Sequence, residues 1–137
     1  MNRNVSDLHD ADYAALADFR FALRQFHAFS DERARETGLT PQQHQALLAI
    51  RGAEAGQSTI GYVAQRLLLK PHSATGLIDR LETLDLVTRH VAPEDRRRAV
   101  LHLTDKALTL LAALSATHRE EIRRLKPLLE GMLSRFD

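Results

Sequence analysis

A mainly α-helical fold carrying one small β-hairpin is predicted by three features of the sequence. Apolar residues recur at spacings of three and four along most of the 137 residues, the period of a helix with one buried face. Two short stretches, Val87 to Val91 and Ala99 to Leu103, alternate instead, as half-buried strands do. Between them the polar segment Ala92-Pro93-Glu94-Asp95-Arg96-Arg97-Arg98 is expected as an exposed loop. Two short helices ahead of this hairpin complete a winged helix-turn-helix, and long helices extend it at both ends.

A first helix is expected over about Asp10 to Glu36, with Leu16, Phe19, Leu23 and Phe26 on one face and Gly38 stopping it. Thr40 is a natural N-cap for the second. Pro41 suits its first helical position, where an N–H would lack a partner anyway, and Gln43 completes a capping box. Leu47, Leu48 and Ile50 supply the buried side, and Gly52 to Gly56 ends the helix. Ser58-Thr59 caps a third, short helix with the stripe Ile60, Val63, Ala64 and Leu67, and Leu68 to Lys70 make the turn. Pro71 starts a fourth, in which Ala74, Leu77, Ile78, Leu81 and Leu84 share a face. Asp85 is expected in a left-handed conformation at its end, which Asp tolerates better than most residues. After the hairpin, Thr104-Asp105 caps a long helical tail that Pro127 is expected to divide in two.

A chain of this length can bury roughly 70% of its unfolded surface in one domain, and 44% hydrophobic with 27% charged residues are globular values. There is no cysteine, hence no disulfide, thiolate metal site or thiol sensor, and no apolar run long enough to span a bilayer. The polar, acidic start MNRNVSDLHDADY is unlike a signal sequence, so a cytoplasmic location is expected. Net charge is only +1, but it is unevenly spread: residues 1–40 hold five Lys/Arg against seven Asp/Glu, and residues 66–98 hold seven against five. All five Phe residues lie in the terminal helices, and Ile122, Leu125, Leu128, Leu129, Met132, Leu133 and Phe136 give the tail a wide apolar face. A symmetric homodimer would cover that face; folding back on the same chain is the alternative. The expected organisation is a dimerisation helix at 1–39, a winged helix-turn-helix DNA-binding domain at 40–104 and further dimerisation helices at 105–137.

On the fourth helix, the face opposite the leucines shows His72, Ser73, Thr75, Gly76, Asp79 and Arg80. Small polar side chains let a helix sit deep in a major groove, while Lys70 and the helix N-terminus attract a phosphate. An ordinary solvated face would have the same composition. The hairpin weighs against that, because Arg96, Arg97 and Arg98 repel one another and gain little unless a polyanion is near. Asp95 makes most sense as a partner holding the Arg97 guanidinium, which would then enter a minor groove and read its width. A Pro-Glu-Asp turn followed by freely solvated arginines is the alternative.

At these residues the chain resembles the MarR family of bacterial winged-helix transcription regulators. The resemblance runs through GLTPQQHQALLAI at 38–50, TIGYVAQRL at 59–67, HSATGLIDRLETLDLV at 72–87, DRR at 95–97 and LHLT at 101–104. It implies a recognition helix in the fourth helix, a wing at 87–104, and an Asp-x-Arg wing pair at Asp95 and Arg97. Ser73 and Thr75 match the family's small hydroxyl positions. Gly76 stands where many members carry a larger polar residue, often Arg, and Asp85 replaces a common Gly.

The resemblance also implies release of DNA when a small aromatic or anionic molecule binds; without cysteine, the oxidative route is closed. Phe26, His27, His44 and His118 are the candidate pocket residues, each also readable as a packing or surface residue. The seven histidines His9, His27, His44, His72, His90, His102 and His118 show no pair at helical ligand spacing, so neither a metal nor another cofactor is expected. No Gly-rich phosphate loop, HExxH or nucleophile elbow suggests an enzyme. A nuclease would need clustered carboxylates, and Glu94 and Asp95 stand without partners. The remaining alternative is a winged helix used only for protein contacts.

Overall fold

Local signals set the helix boundaries. The computed structural model describes residues 8–136, so the polar start at 1–7 lies outside the described residues. Helix α1 spans Asp10–Glu36 and ends where Gly38 takes φ 86°, with Leu39 N–H donating to the Ala34 carbonyl at 3.0 Å. Helix α2, Pro41–Gly52, starts with the expected capping box: Gln43 N–H donates to Thr40 Oγ1 at 3.1 Å, and Thr40 N–H donates to Gln43 Oε1 at 3.0 Å. Thr59 caps α3, Ile60–Leu67, through Tyr62 N–H. Ser58 does not share that cap. It is buried, and its hydroxyl donates to the Leu101 carbonyl at 2.6 Å.

Helix α4 covers Pro71–Thr83, and Asp85 follows with φ 60°, left-handed as expected. Its own N–H and that of Leu86 close the helix end on Glu82 and Leu81. Strands β1, Val87–Ala92, and β2, Asp95–Leu103, pair antiparallel from Val87↔Leu103 to Val91↔Ala99, then jump to Ala92↔Asp95. The connecting turn is therefore only Pro93-Glu94, shorter than the expected loop. Arg96, Arg97 and Arg98 lie in the irregular stretch of β2 created by that jump, a bulge that frees them from cross-strand partners.

Helix α5 runs from Asp105 to Arg135 with Pro127 inside it, so the expected division does not occur. A proline deletes one N–H and crowds one carbonyl, at about 3 kcal/mol. That local cost does not break a helix of 31 residues. Thr104 caps α5 through Ala107 N–H at 3.2 Å and donates its own hydroxyl to the Asp85 carbonyl at 2.7 Å.

The chain divides into two units, Glu32–Ser115 and the pair of segments Met1–Asp31 with Ala116–Asp137. In the first unit Leu47, Val63, Ile78, Leu81, Leu86, Val87 and Leu101 form a closed core, with Leu39, Ile50, Leu77 and Leu111 around it. Two expected core members are not there: Leu48 and Leu84 are exposed, Leu84 because it is the C-cap of α4 and the backbone has already turned away. In the second unit only Ala22 and Ser30 are buried among the described residues. Tyr13, Phe21, Ile122, Leu133 and Phe136 are exposed there.

Candidate nucleic-acid interface

Helix α4 buries Ala74, Leu77, Ile78 and Leu81 and leaves the rest of its surface open. Lys70, His72, Ser73, Thr75, Gly76, Asp79 and Arg80 are all exposed. Lys70 is the N-cap residue, extended at φ −68° and ψ 150°, and makes no side-chain capping bond. The first-turn N–H groups of α4 thus lack a side-chain acceptor, which is the arrangement that attracts an anion. Thr75 donates its hydroxyl to the Pro71 carbonyl at 3.0 Å, so outward it offers only lone pairs. A Cβ on Gly76 would meet nothing within 4 Å in the chain itself. The missing side chain therefore serves no internal packing and leaves the helix slim on its exposed face.

The wing differs from expectation in how its charges are held. Asp95 Oδ1 accepts from the backbone N–H of Arg97 at 2.9 Å, not from the guanidinium. An Asp two residues ahead of an N–H forms this local turn more readily than it captures a long, entropically free side chain. Arg98 folds back and donates to the Gly56 carbonyl, with Gln57 Oε1 at 3.4 Å, fixing the wing base to the loop after α2. Arg96 and Arg97 are exposed, and among the described residues no carboxylate lies within ion-pair distance of either. Two of the three arginines are therefore presented outward and the third is structural.

A family model described as the MarR family matches residues 37–98. The HTH-type transcriptional regulator YsmB of Bacillus subtilis is 30% identical over 112 residues, covering 79% of this chain and 75% of that protein. The chain belongs to the MarR family. A second relative with the same description, MgrA of Staphylococcus aureus, is 29% identical and covers 97% of each chain. MepR of Staphylococcus aureus, in a structure of its DNA complex, shares the fold with a TM-score of 0.66 at 22% identity, over 85% of this chain and 94% of that one.

Beyond the residues expected from sequence, the MarR-family wing holds one more. Arg89 on β1 donates from Nε to Glu82 Oε1 and from Nη2 to Asp79 Oδ1, both on α4. The three residues are seven and ten positions apart on two kinds of element, so no single periodicity relates them. His90 and His102 meet edge to face on the wing with ring centroids 4.7 Å apart, a pair hidden in the sequence because it lies across strands. Among the described residues no group of three or more His, Cys, Asp or Glu could hold a metal ion, and no helix is long and apolar enough to cross a membrane.

The four candidate pocket residues fall in different places. Phe26 packs edge to face on His27 and His118, at 5.9 and 6.0 Å between centroids, and Phe29 also meets His118 at 6.1 Å. His118 Nε2 lies 2.7 Å from Ser30 Oγ, and Ser30 is buried. His44 belongs to the other unit, where it is buried on α2.

Proposed function

We propose that this chain is a DNA-binding transcription regulator, a repressor that works as a cytoplasmic homodimer on a pseudo-palindromic operator and releases it on binding a small aromatic or anionic effector. The observation that carries the reading is the conjunction of a slim, exposed recognition-helix face on α4 with two outward arginines on the wing. Lys70, His72, Ser73, Thr75, Gly76 and Arg80 are its groove-facing set, and Arg96 and Arg97 its contacts to the neighbouring backbone or minor groove. Asp95 shapes the turn that aims Arg97, and Arg98 anchors the wing. The MepR–DNA complex supports the same use of a shared fold.

Dimerisation is supported by the described residues 8–31 and 116–136, where apolar side chains outnumber those that are buried. A two-fold axis would place two recognition helices about 34 Å apart, in successive major grooves. For the effector, the cluster of Phe26, His27 and His118 offers aromatic edges, which suit a planar acid or phenol. His44, being buried at 1% exposure, is left out of this set.

Selection of bound duplexes from a random pool, followed by gel shift on the winner, tests the reading. An enriched inverted repeat retained without cleavage is expected. A pool that shows no enrichment, with the chain folded, would refute it and leave protein contacts as the use of the winged helix.

A further inference from the structure

Arg89 joins the two parts of the interface. Its partners, Asp79 and Glu82, both lie on the recognition helix, and the arginine side chain is 29% exposed against 61% for Asp79. Asp79 lies four residues after Thr75 and three after Gly76, so its carboxylate continues the stripe that the proposed function turns toward DNA. A carboxylate there repels every phosphate within a Debye length, about 10 Å at moderate salt. Among the described residues Arg89 is the one cation within ion-pair distance of either acid. The three side chains together carry a net −1; without Arg89 they would carry −2.

We propose that Arg89 is a positioning residue that partly masks the acidic end of the recognition helix, so that α4 approaches a polyanion with half the repulsive charge that Asp79 and Glu82 would otherwise present. It touches DNA through neither partner; its effect is on the field that the duplex meets. The inference rests on the DNA-binding reading above. It also explains why a wing residue should reach toward α4, when the hairpin already has Arg98 to tie it to the loop at Gly56.

The test is fluorescence anisotropy of the full chain on a selected duplex and on a random-sequence duplex, at low and high salt, with thermal melts to verify folding. Arg89→Ala is expected to bind both duplexes at least about tenfold more weakly at low salt, with the gap narrowing at high salt because repulsion is screened. Adding Asp79→Asn and Glu82→Gln to that variant should restore most of the loss. On the Arg89 background, Asp79→Asn with Glu82→Gln should bind at least as tightly as the parent, a comparison that survives if Arg89→Ala unfolds. Parent-like binding by Arg89→Ala overturns the proposal. So does a defect equal at both salts and unrelieved by neutralising the acids, which would make Arg89 a purely geometric tie. A parent chain with no affinity for any duplex is a separate failure, that of the DNA-binding reading, and is seen before any variant is made.

Discussion

Thr75 spends its hydroxyl hydrogen on the Pro71 carbonyl, so toward a base edge it can only accept. Cytosine N4 and adenine N6 are the major-groove amino donors that fit. Thr75→Val keeps the shape and removes the acceptor; it should flatten preference at one base position at a cost of roughly 1–3 kcal/mol, read by competition binding with that base varied. Leu68 shows a different tension: it sits at φ 55° in the turn before α4 and is 93% exposed. A left-handed L-residue costs about 1–2 kcal/mol, and glycine's extra unfolded-state entropy takes back about 0.5–1. Leu68→Gly should therefore stabilise the chain by roughly 0.5–1 kcal/mol in urea denaturation. Asp85→Gly should gain less, because Asp already tolerates φ 60°. A stripe ends before each of these residues, but the left-handed conformation was legible only at Asp85, because Asp tolerates it and Leu gives no sign of it.

At the scale of elements, the wing is held by the reciprocal contact of Ser58 with β2: its hydroxyl donates to the Leu101 carbonyl, and Leu101 N–H donates to the Ser58 carbonyl at 2.7 Å. Ser58→Ala leaves a buried acceptor unpaired and should cost about 1–3 kcal/mol in equilibrium unfolding. Helix α1 is linked to α5 by Arg135, whose Nε is 2.9 Å from Asp12 Oδ1. The Asp12 carboxyl is held below its ordinary value of 3.8, first by the backbone N–H of His9 and also by Arg135, against an opposing effect of burial. A depressed folded-state value means stability present above the unfolded value and lost as pH falls through the folded one. Asp12→Asn should thus lower the melting temperature near neutral pH, and the difference should vanish in acid below both values. Elements with capping signals, such as α2 with its Thr40–Gln43 box, could be placed from sequence to the residue. The Asp95 to Arg97 contact could not, since spacing alone does not distinguish a backbone N–H from a guanidinium as the donor.

For the whole molecule, the winged unit closes its own core while the paired terminal segments do not, and that asymmetry is what a second copy would resolve. A charge placed in the exposed apolar face, Leu133→Asp, should shift the proposed dimer toward monomer in sedimentation and reduce affinity for the selected duplex well over tenfold, because one half-site alone supplies fewer contacts. The seven-against-five charge excess at 66–98 was visible in the sequence; which arginines face outward was not, since Arg98 and Arg89 are taken up by partners 40 or more and ten or fewer residues away respectively. A salt titration of DNA binding reads that distribution directly. Log affinity of the chain for its selected duplex should fall linearly and steeply with log salt, at about 0.9 per phosphate neutralised, and the slope should drop by about one in Arg97→Ala. An affinity indifferent to salt, or a slope unchanged by Arg97→Ala, would contradict an arginine wing and a recognition helix acting together on duplex DNA.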